Sequence, residues 1–259
     1  MIFATDLDNT LIHSRQRISN ISQCIAVEYK NKKPISYMSK QACDFFEKLK
    51  NNENLTIIPV TARSTEQFER ITITQNCPYA ILAGGATILD HGEPIKDWSV
   101  FINYICDKHG KNYKFFNQYL SQNLHHIAIG PRLVNNAVIF FKLNEEENNH
   151  TMIREVRELA QSHNWHFTLQ RAKGYLSPSE ISKENALKFL IERLDDKNLI
   201  TAGDGTMDVP FIKLGNIFKF IPVNTEAFAN LRTCSSCTVI DNSINGTRYM
   251  LEQIANALH

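Results

Sequence analysis

The chain has 259 residues, 43% of them hydrophobic and 21% charged, with a formal net charge of +1. That balance is ordinary for a folded protein and gives the whole molecule no attraction to nucleic acid or to a lipid surface. No apolar run approaches the ~18 residues that a membrane-spanning helix needs. The length allows one large domain or two smaller ones. Six cysteines are scattered through a chain able to build its own core, and the first residues lack a secretory leader pattern, so the expectation is a cytoplasmic protein with reduced thiols.

Met1 to Ala4 is a short apolar run of the buried-strand type, and it leads into Asp6-Leu-Asp8-Asn-Thr10. Open α/β sheets place their ligand sites at the carboxyl ends of strands. Two carboxylates set there repel each other, which raises a pKa or demands a cation. Cys24 to Tyr29 and Ile35 to Tyr37, separated by Asn31-Lys-Lys-Pro34, predict a hairpin that forms a flap beside the first strand. Ser39 caps a helix whose Ala42, Phe45, Phe46 and Leu49 fall on one face. Leu55 to Val60 is a second buried strand, ending in Thr61-Ala-Arg63, and Ser64-Thr-Glu-Gln67 is a capping box that opens a helix. Tyr79 to Leu82 is a third strand, stopped by Gly84-Gly85. Alternation of strand and helix to this point predicts βαβ units around a parallel sheet.

From Ala86 the texture changes. Asp90-His-Gly92 between two short apolar runs predicts a hairpin, and a helical, aromatic-rich stretch follows from Trp98 to Leu120. Ala137 to Leu143 and Trp165 to Gln170 read as strands, Thr151 to His163 as a helix, and Asn144 to Asn149 as an exposed loop. This α+β segment reads as an inserted domain over residues 84–178, between core segments 1–83 and 179–259. The βαβ rhythm then returns. A helix opens at Ser182-Lys183, a strand Leu199 to Ala202 ends at Gly203-Asp204, a strand Phe218 to Ile221 ends near Asn224, and a last helix runs from Gly246 to Leu258. The fold class expected is a doubly wound parallel α/β core carrying an α+β cap. Cys234-Ser-Ser-Cys237 has the spacing of half a zinc site or of a redox pair, but no second pair or matching histidines accompany it, so packing is its default reading.

Asp6, Asp8, Thr61, Lys183, Asp204 and Asp208 all fall at predicted strand or helix ends, which a parallel sheet brings to one edge. Carboxylates so concentrated need a positive partner. Hard oxygen ligands suit Mg2+, which binds one or two carboxylates together with phosphate oxygens. The Thr61 hydroxyl and the Lys183 amine suit an anion, and Lys183 stands at a helix start where backbone N–H groups favour phosphate. Taken singly, Lys183 is a solvated first-turn lysine and Asp208 a helix-entry acid; their occurrence together is the signal.

The four segments Asp6-Leu-Asp8-Asn-Thr10, Thr61, Lys183 and Gly203-Asp204-Gly-Thr-Met-Asp208 resemble, in order, the motifs of the haloacid dehalogenase (HAD) superfamily of phosphohydrolases. The inserted segment resembles the C2 cap of the Cof-like subgroup, subclass IIB. The resemblance implies that Asp6 is the nucleophile forming an aspartyl-phosphate, that Asp8 is the general acid and then the base, and that Thr61 and Lys183 bind phosphate. It also implies Mg2+ held by Asp6, the Asp8 backbone carbonyl and Asp204, with Asp208 binding or orienting that shell. Arg63, Asn224 and the cap residues Arg132, Arg171 and Lys173 are candidate substrate contacts. The chain departs from the family pattern at Ala62, where glycine is common, at Gly84, where asparagine is common, and at Met207 before Asp208.

The activity implied is Mg2+-dependent hydrolysis of a small phosphate monoester, a sugar phosphate or similar metabolite, with no nucleic-acid or membrane partner and the oligomeric state left open. Two rivals share the residues: a phosphomutase, which returns the phosphate to a sugar, and a phosphate-ligand binding or regulatory protein, which has no need of the nucleophile. A dehalogenase gives no reason for Asp8 or Asp204.

Overall fold

The apolar run at the start forms strand β1 (Ile2–Thr5), all four residues of which are buried. In this computed structural model residues 1–123, 127–144, 150–170 and 172–258 are described, which leaves Arg171 and most of the polar Asn144 to Asn149 stretch outside. A short strand β2 (His13–Ser14) joins the predicted flap, β3 (Cys24–Lys30) and β4 (Lys33–Ser39), in an antiparallel sheet of order β2-β4-β3. Ser39 caps helix α1 (Lys40–Lys50) by accepting from the Ala42 N–H, and Ala42, Cys43, Phe46 and Leu49 are buried beneath it. Phe45 is only partly buried at the edge of that face.

Strand β5 (Thr56–Pro59) runs parallel to β1. The capping box forms at Ser64 and Gln67, but the helix that it opens, α2 (Thr65–Phe68), lasts only four residues. Beyond Glu69-Arg70, Ile71-Thr-Ile-Thr74 is β-branched and disfavours helix, and the Thr72 N–H donates instead to the Val27 carbonyl of the flap at 2.8 Å. Strand β6 (Tyr79–Leu82) forms as expected, yet its place is not that of a full βαβ strand. It touches the parallel sheet through one bridge, Val60 to Ile81, and pairs antiparallel with β7 (Thr87–Asp90), which turns into β8 (Glu93–Pro94). The expected single helical stretch is two helices, α3 (Lys96–Lys108) and α4 (Gly110–Asn123), separated at His109.

A second antiparallel sheet of order β11-β12-β10-β9 follows, from β9 (Ile127–Val134), β10 (Val138–Leu143), β11 (Trp165–Gln170) and β12 (Lys173–Pro178), with helix α5 (His150–Ser162) before β11. One face of it carries the apolar packing. Ile139, Phe141 and Leu143 on β10 and Leu176 on β12 pack with Trp165 against Phe116 and Leu120 of α4 and Val156 and Ala160 of α5. Helix α6 (Lys183–Leu194) returns the chain to the first sheet, which is completed by β13 (Leu199–Ala202), β14 (Phe218–Pro222) and β15 (Thr238–Ile240), with α7 (Val209–Leu214), α8 (Glu226–Leu231) and α9 (Ile244–Ala257) between and after them. That sheet is parallel throughout, in the order β15-β14-β13-β1-β5. One cluster of buried side chains, including Ile58, Leu187, Leu190 and Phe211, packs on one face of it; another, including Phe3, Phe46, Phe220 and Ile254, packs on the other. The core is the doubly wound α/β fold expected.

One buried histidine ties the flap to the last helix. His13 is 1% exposed, and its Nε2 lies 2.8 Å from Thr247 Oγ1. The Thr247 hydroxyl donates to the Thr10 carbonyl at 2.7 Å. Thr247 Oγ1 therefore accepts from His13, which places the proton on Nε2 and leaves Nδ1 buried and without a hydrogen-bond partner. The carboxylates of Asp8 and Asp241 offset only part of the cost of charging it. Burial, helped by Arg17, holds the His13 pKa down at about 4. The unfolded chain binds this proton near pH 6.5 and the folded chain does not, so stability is full above that value and falls as pH drops toward 4. Urea unfolding between pH 7 and pH 4 is expected to show a loss of about 3 kcal/mol from this group, and His13→Gln should remove that part of the slope.

Candidate active site

The parallel sheet sets the site by register. Thr5 pairs with Ala202 on one side and Pro59 on the other, so β1, β13 and β5 end level with one another. The Asp6 N–H donates to the Ala202 carbonyl at 2.9 Å, and the Val60 N–H to the Thr5 carbonyl at 2.8 Å. Asp6, Gly203-Asp204 and Thr61 thus leave the sheet side by side. Helix α6 enters from above with Lys183 as its first residue, because Ser182 caps it by accepting from the Asn185 N–H at 3.1 Å. Gly85 makes this approach possible: its φ is +108°, and a Cβ there would stand 2.2 Å from the Ser182 carbonyl oxygen.

Lys183 is the hub. Its side chain is 1% exposed, and its Nζ donates to Asp6 Oδ1 at 2.7 Å and to Asp208 Oδ1 at 2.6 Å. Asp208 Oδ2 accepts from the backbone N–H groups of Asp204, at 3.1 Å, and Gly205, at 2.8 Å, which fixes the acidic loop. Asn9 Nδ2 donates to Asp204 Oδ2 at 3.2 Å. One carboxylate oxygen from each of Asp6, Asp204 and Asp208 lies within 4.8 Å of the others. Burial pushes the Asp6 carboxyl well above the usual range; Lys183 pulls it back, and the neighbouring carboxylates of Asp208, Asp204 and Asp8 add to the rise. Burial and then Asp208 push Asp204 up to about 7. Burial opposes the charge on Lys183, but Asp208 and Asp6 outweigh it and hold the amine protonated.

Asp8 stands apart from this cluster. Its carboxylate, 53% exposed, takes a two-pronged pair from Arg63, Nε to Oδ2 and Nη2 to Oδ1, both at 2.7 Å. The other edge of the guanidinium meets Glu28 of the flap, Nη1 to Oε1 at 2.6 Å and Nη2 to Oε2 at 3.0 Å. Glu28 is 1% exposed and also accepts from the Ser36 hydroxyl at 2.5 Å. Burial works against the Asp8 charge, but Arg63 outweighs it and holds the carboxyl below its usual range. Thr61 is buried, and its Oγ1 accepts from the Arg63 N–H at 3.2 Å, which shapes the loop that aims Arg63.

The second sheet turns its other face toward this edge. Strand pairing puts Arg132, Phe140, Tyr175 and Thr168 in one row, and Lys142, Lys173 and Gln170 in the next, all on the face opposite the apolar packing. The positive charge of Lys173 is felt at Asp8. Tyr175 is pushed up to about 12, by burial and then by Asp8. A Cβ on Gly205 would stand 2.5 Å from the Gln170 amide nitrogen, so this face reaches the acidic loop.

No family sequence model and no curated protein sequence matches the chain. Solved structures do. The sucrose-phosphatase of Synechocystis, solved with sucrose and phosphate, superposes with a TM-score of 0.69 at 15% identity, over 99% of this chain and 97% of that one. A putative HAD/COF-like hydrolase of Plasmodium vivax gives 0.65 at 12% identity, over 99% and 95%. The C-terminal domain of Candida albicans trehalose-6-phosphate phosphatase gives 0.65 at 11% identity, over 99% and 92%. The chain has the HAD phosphatase fold.

On this HAD fold the structure brings Asp6, Asp8, Thr61, Lys183, Asp204 and Asp208 to one sheet edge, with Arg63 among them. Arg63 is engaged by Asp8 and Glu28, where a substrate contact was expected. Asn224, also expected near a substrate, is exposed just after β14 in a left-handed turn with φ 59°. Arg132 stacks its guanidinium 5.2 Å from the Phe140 ring. Arg171 lies outside the described residues. Glu28, Asn9, Gln170 and Tyr175 were not singled out in the sequence. A lone acid between the apolar Val27 and the aromatic Tyr29 of the flap was the available signal for Glu28. The departure at Gly84 also gains an explanation, since a Cβ there would come within 3.1 Å of the Met207 methyl.

Removing one partner of a buried ion network typically costs 3–5 kcal/mol. Lys183→Met is therefore expected to lower unfolding stability by ~3–5 kcal/mol in urea titrations at neutral pH. Adding Asp6→Asn to it should cost less than the sum of the two single losses, because the two residues share one interaction.

Proposed function

We propose that the chain is a Mg2+-dependent phosphohydrolase that cleaves a small phosphate monoester through an aspartyl-phosphate on Asp6. The observation that carries this reading is the division between two carboxylates on one loop. Asp6 is buried against the Lys183 ammonium, and Asp8 is held separately by Arg63 at the open side. Environments that separate two acids assign them different work.

The donor set fits the metal. Three carboxylates and one ammonium carry a net charge of −2 when ionised, the charge that one divalent cation cancels. Asp6, Asp204 and Asp208, with the Asp8 backbone carbonyl, would hold Mg2+ through hard oxygens. When bound, the ion supplies the neutralisation that lets an anionic nucleophile approach an anionic phosphate.

The chain's own residues do the rest. Lys183 orients the Asp6 oxygen and keeps positive charge beside the incoming phosphate. Asp6 attacks phosphorus and takes the phosphoryl group. Arg63 holds Asp8 as a carboxylate, the form that draws a proton from the attacking water. A phosphate dianion arriving beside Asp8 raises the cost of that charge and moves it toward the form that donates a proton to the leaving oxygen. Arg132, Lys142, Gln170, Lys173 and Tyr175 present cations and hydrogen-bonding groups to whatever the phosphate is attached to. That chemistry suits a polyhydroxylated leaving group, and the sucrose- and trehalose-phosphate phosphatases among similar folds support a sugar phosphate. No helix among the described residues is long and apolar enough to cross a membrane.

Release of inorganic phosphate from a panel of monoesters, with Mg2+ and with EDTA, tests the reading. Release should require the metal and vanish in Asp6→Asn, and a protein inert toward every ester would overturn the proposal. Asp8→Asn should leave activity reduced ~10²–10⁴-fold. Glu28→Gln, which slackens the grip on Arg63, should cost ~10–100-fold on alkyl phosphates. It should spare p-nitrophenyl phosphate, whose leaving group needs little proton donation; an equal loss on both would remove Glu28 from the alignment of the acid.

A further inference from the structure

The cysteine pair set aside in the sequence lies in the turn between α8 and β15. The Cys237 N–H donates to the Cys234 carbonyl at 3.1 Å, closing a tight turn that keeps the two residues together. Both thiols are free. Ser236 Oγ stands 3.3 Å from Cys234 Sγ, and Lys219 Nζ donates to that same Oγ at 2.9 Å. An ammonium has no lone pair to offer, so Ser236 must accept from Lys219. Its own proton is then available to the Cys234 sulfur. Hydrogen bonds to sulfur with a lysine behind them favour the thiolate.

The other thiols are placed differently. Hydrogen bonds from Ser236 and Cys237 bring Cys234 down to about 7, whereas burial pushes Cys237 up to about 11. Burial raises Cys43 to about 11 and Cys77 to about 12, and it raises Cys24 and Cys106 as well. The pair also lines an open cleft of about 360 Å3 with Ile212, Lys213, Lys219 and Leu231, so small molecules can reach it. An accessible activated thiol with a second thiol three residues on is the arrangement of an attacking and a resolving cysteine.

We propose that Cys234 and Cys237 form a two-electron redox pair that closes reversibly to a disulfide on reaction with a peroxide. The Cys234 thiolate attacks one peroxide oxygen, the O–O bond breaks, and the departing hydroxide takes up a proton as water. Cys234 is left as a sulfenic acid. The Cys237 sulfur then attacks the Cys234 sulfur, the S–O bond breaks, and the departing hydroxide leaves as a second water with the Cys237 proton. Two thiols are oxidised to one disulfide, and one peroxide is reduced to two waters. The site is independent of the phosphatase reading and stands whether or not that reading holds.

The test is brief exposure of the full chain to hydrogen peroxide, followed by thiol alkylation and mass spectrometry. The expected product has lost about 2 Da, with the modification confined to the segment containing Cys234 and Cys237, and dithiothreitol restores it. Cys237→Ser should stop at a sulfenic acid on Cys234, captured by dimedone. Ser236→Ala, on an exposed turn, should slow oxidation several-fold without altering the circular dichroism spectrum. Oxidation spread evenly over all the cysteines, or loss of the same mass at the same rate in Cys234→Ser, would overturn the proposal.

Discussion

A buried ammonium between two buried carboxylates is the interaction on which the rest of the site depends. An isolated lysine cannot stay charged at 1% exposure, and Asp6 and Asp208 are what keep it so. The pair in turn fixes where α6 can begin relative to β1. It also draws Asp208 into the position from which it gathers the backbone N–H groups of Asp204 and Gly205. Such a network adds little net stability over an apolar core of the same shape. Its physical consequence is placement: the Asp6 oxygen has one orientation, and the positive charge sits beside it, where the proposed phosphate would need it. The carboxylate excess that remains is the electrostatic reason for a divalent cation in the reading proposed.

The sequence motifs were legible because a parallel sheet leaves few choices at its strand ends. A four-residue apolar run that leads straight into an aspartate can only deliver that aspartate to the sheet's edge, as β1 and β13 do, and β5 delivers Thr61 in the same way. Helix starts were equally readable, since Ser39, Ser64 and Ser182 all cap as their sequences require. What local sequence does not carry is partner and extent. Tyr79 to Leu82 is apolar and short, but nothing in it states that β7 will take its hydrogen bonds. The capping box at Ser64 says where α2 begins; the β-branched run that ends it four residues later is bound by the flap, a contact far away in sequence.

Strands β9 and β12 were missed for a related reason. β9 contains Gly130 and Pro131, and β12 contains Gly174 and ends at Pro178, so propensity argues against both. Pairing with β10 overrides that preference. At Gly174 the close approach is visible: a Cβ there would stand 2.2 Å from the Phe141 ring, so the small residue is the one that lets the apolar face close. The price of such irregular strands is that their alternation is hard to see before the pairing is known. The face that holds Arg132, Lys142, Lys173 and Tyr175 was therefore visible only as scattered charges.

Glu28 shows how a residue far from any motif bears on the geometry of the site. Its carboxylate is buried under the flap, where an unpaired charge would be costly, and Arg63 is the partner that resolves this. Arg63 has a rigid planar fork, so fixing one edge on Glu28 fixes the direction of the other. Asp8 binds that second edge. The flap, a local hairpin closed by its own hydrogen bonds, thereby sets the orientation of a carboxylate on a different element. A lysine at position 63 would carry the same charge without the fork, and would tie Asp8 to the flap by attraction but not by angle. The orientation of Asp8 thus rests on two hydrogen-bonded edges of one guanidinium, and in the reading proposed the flap's sequence belongs to the site as much as the motif that contains Asp8.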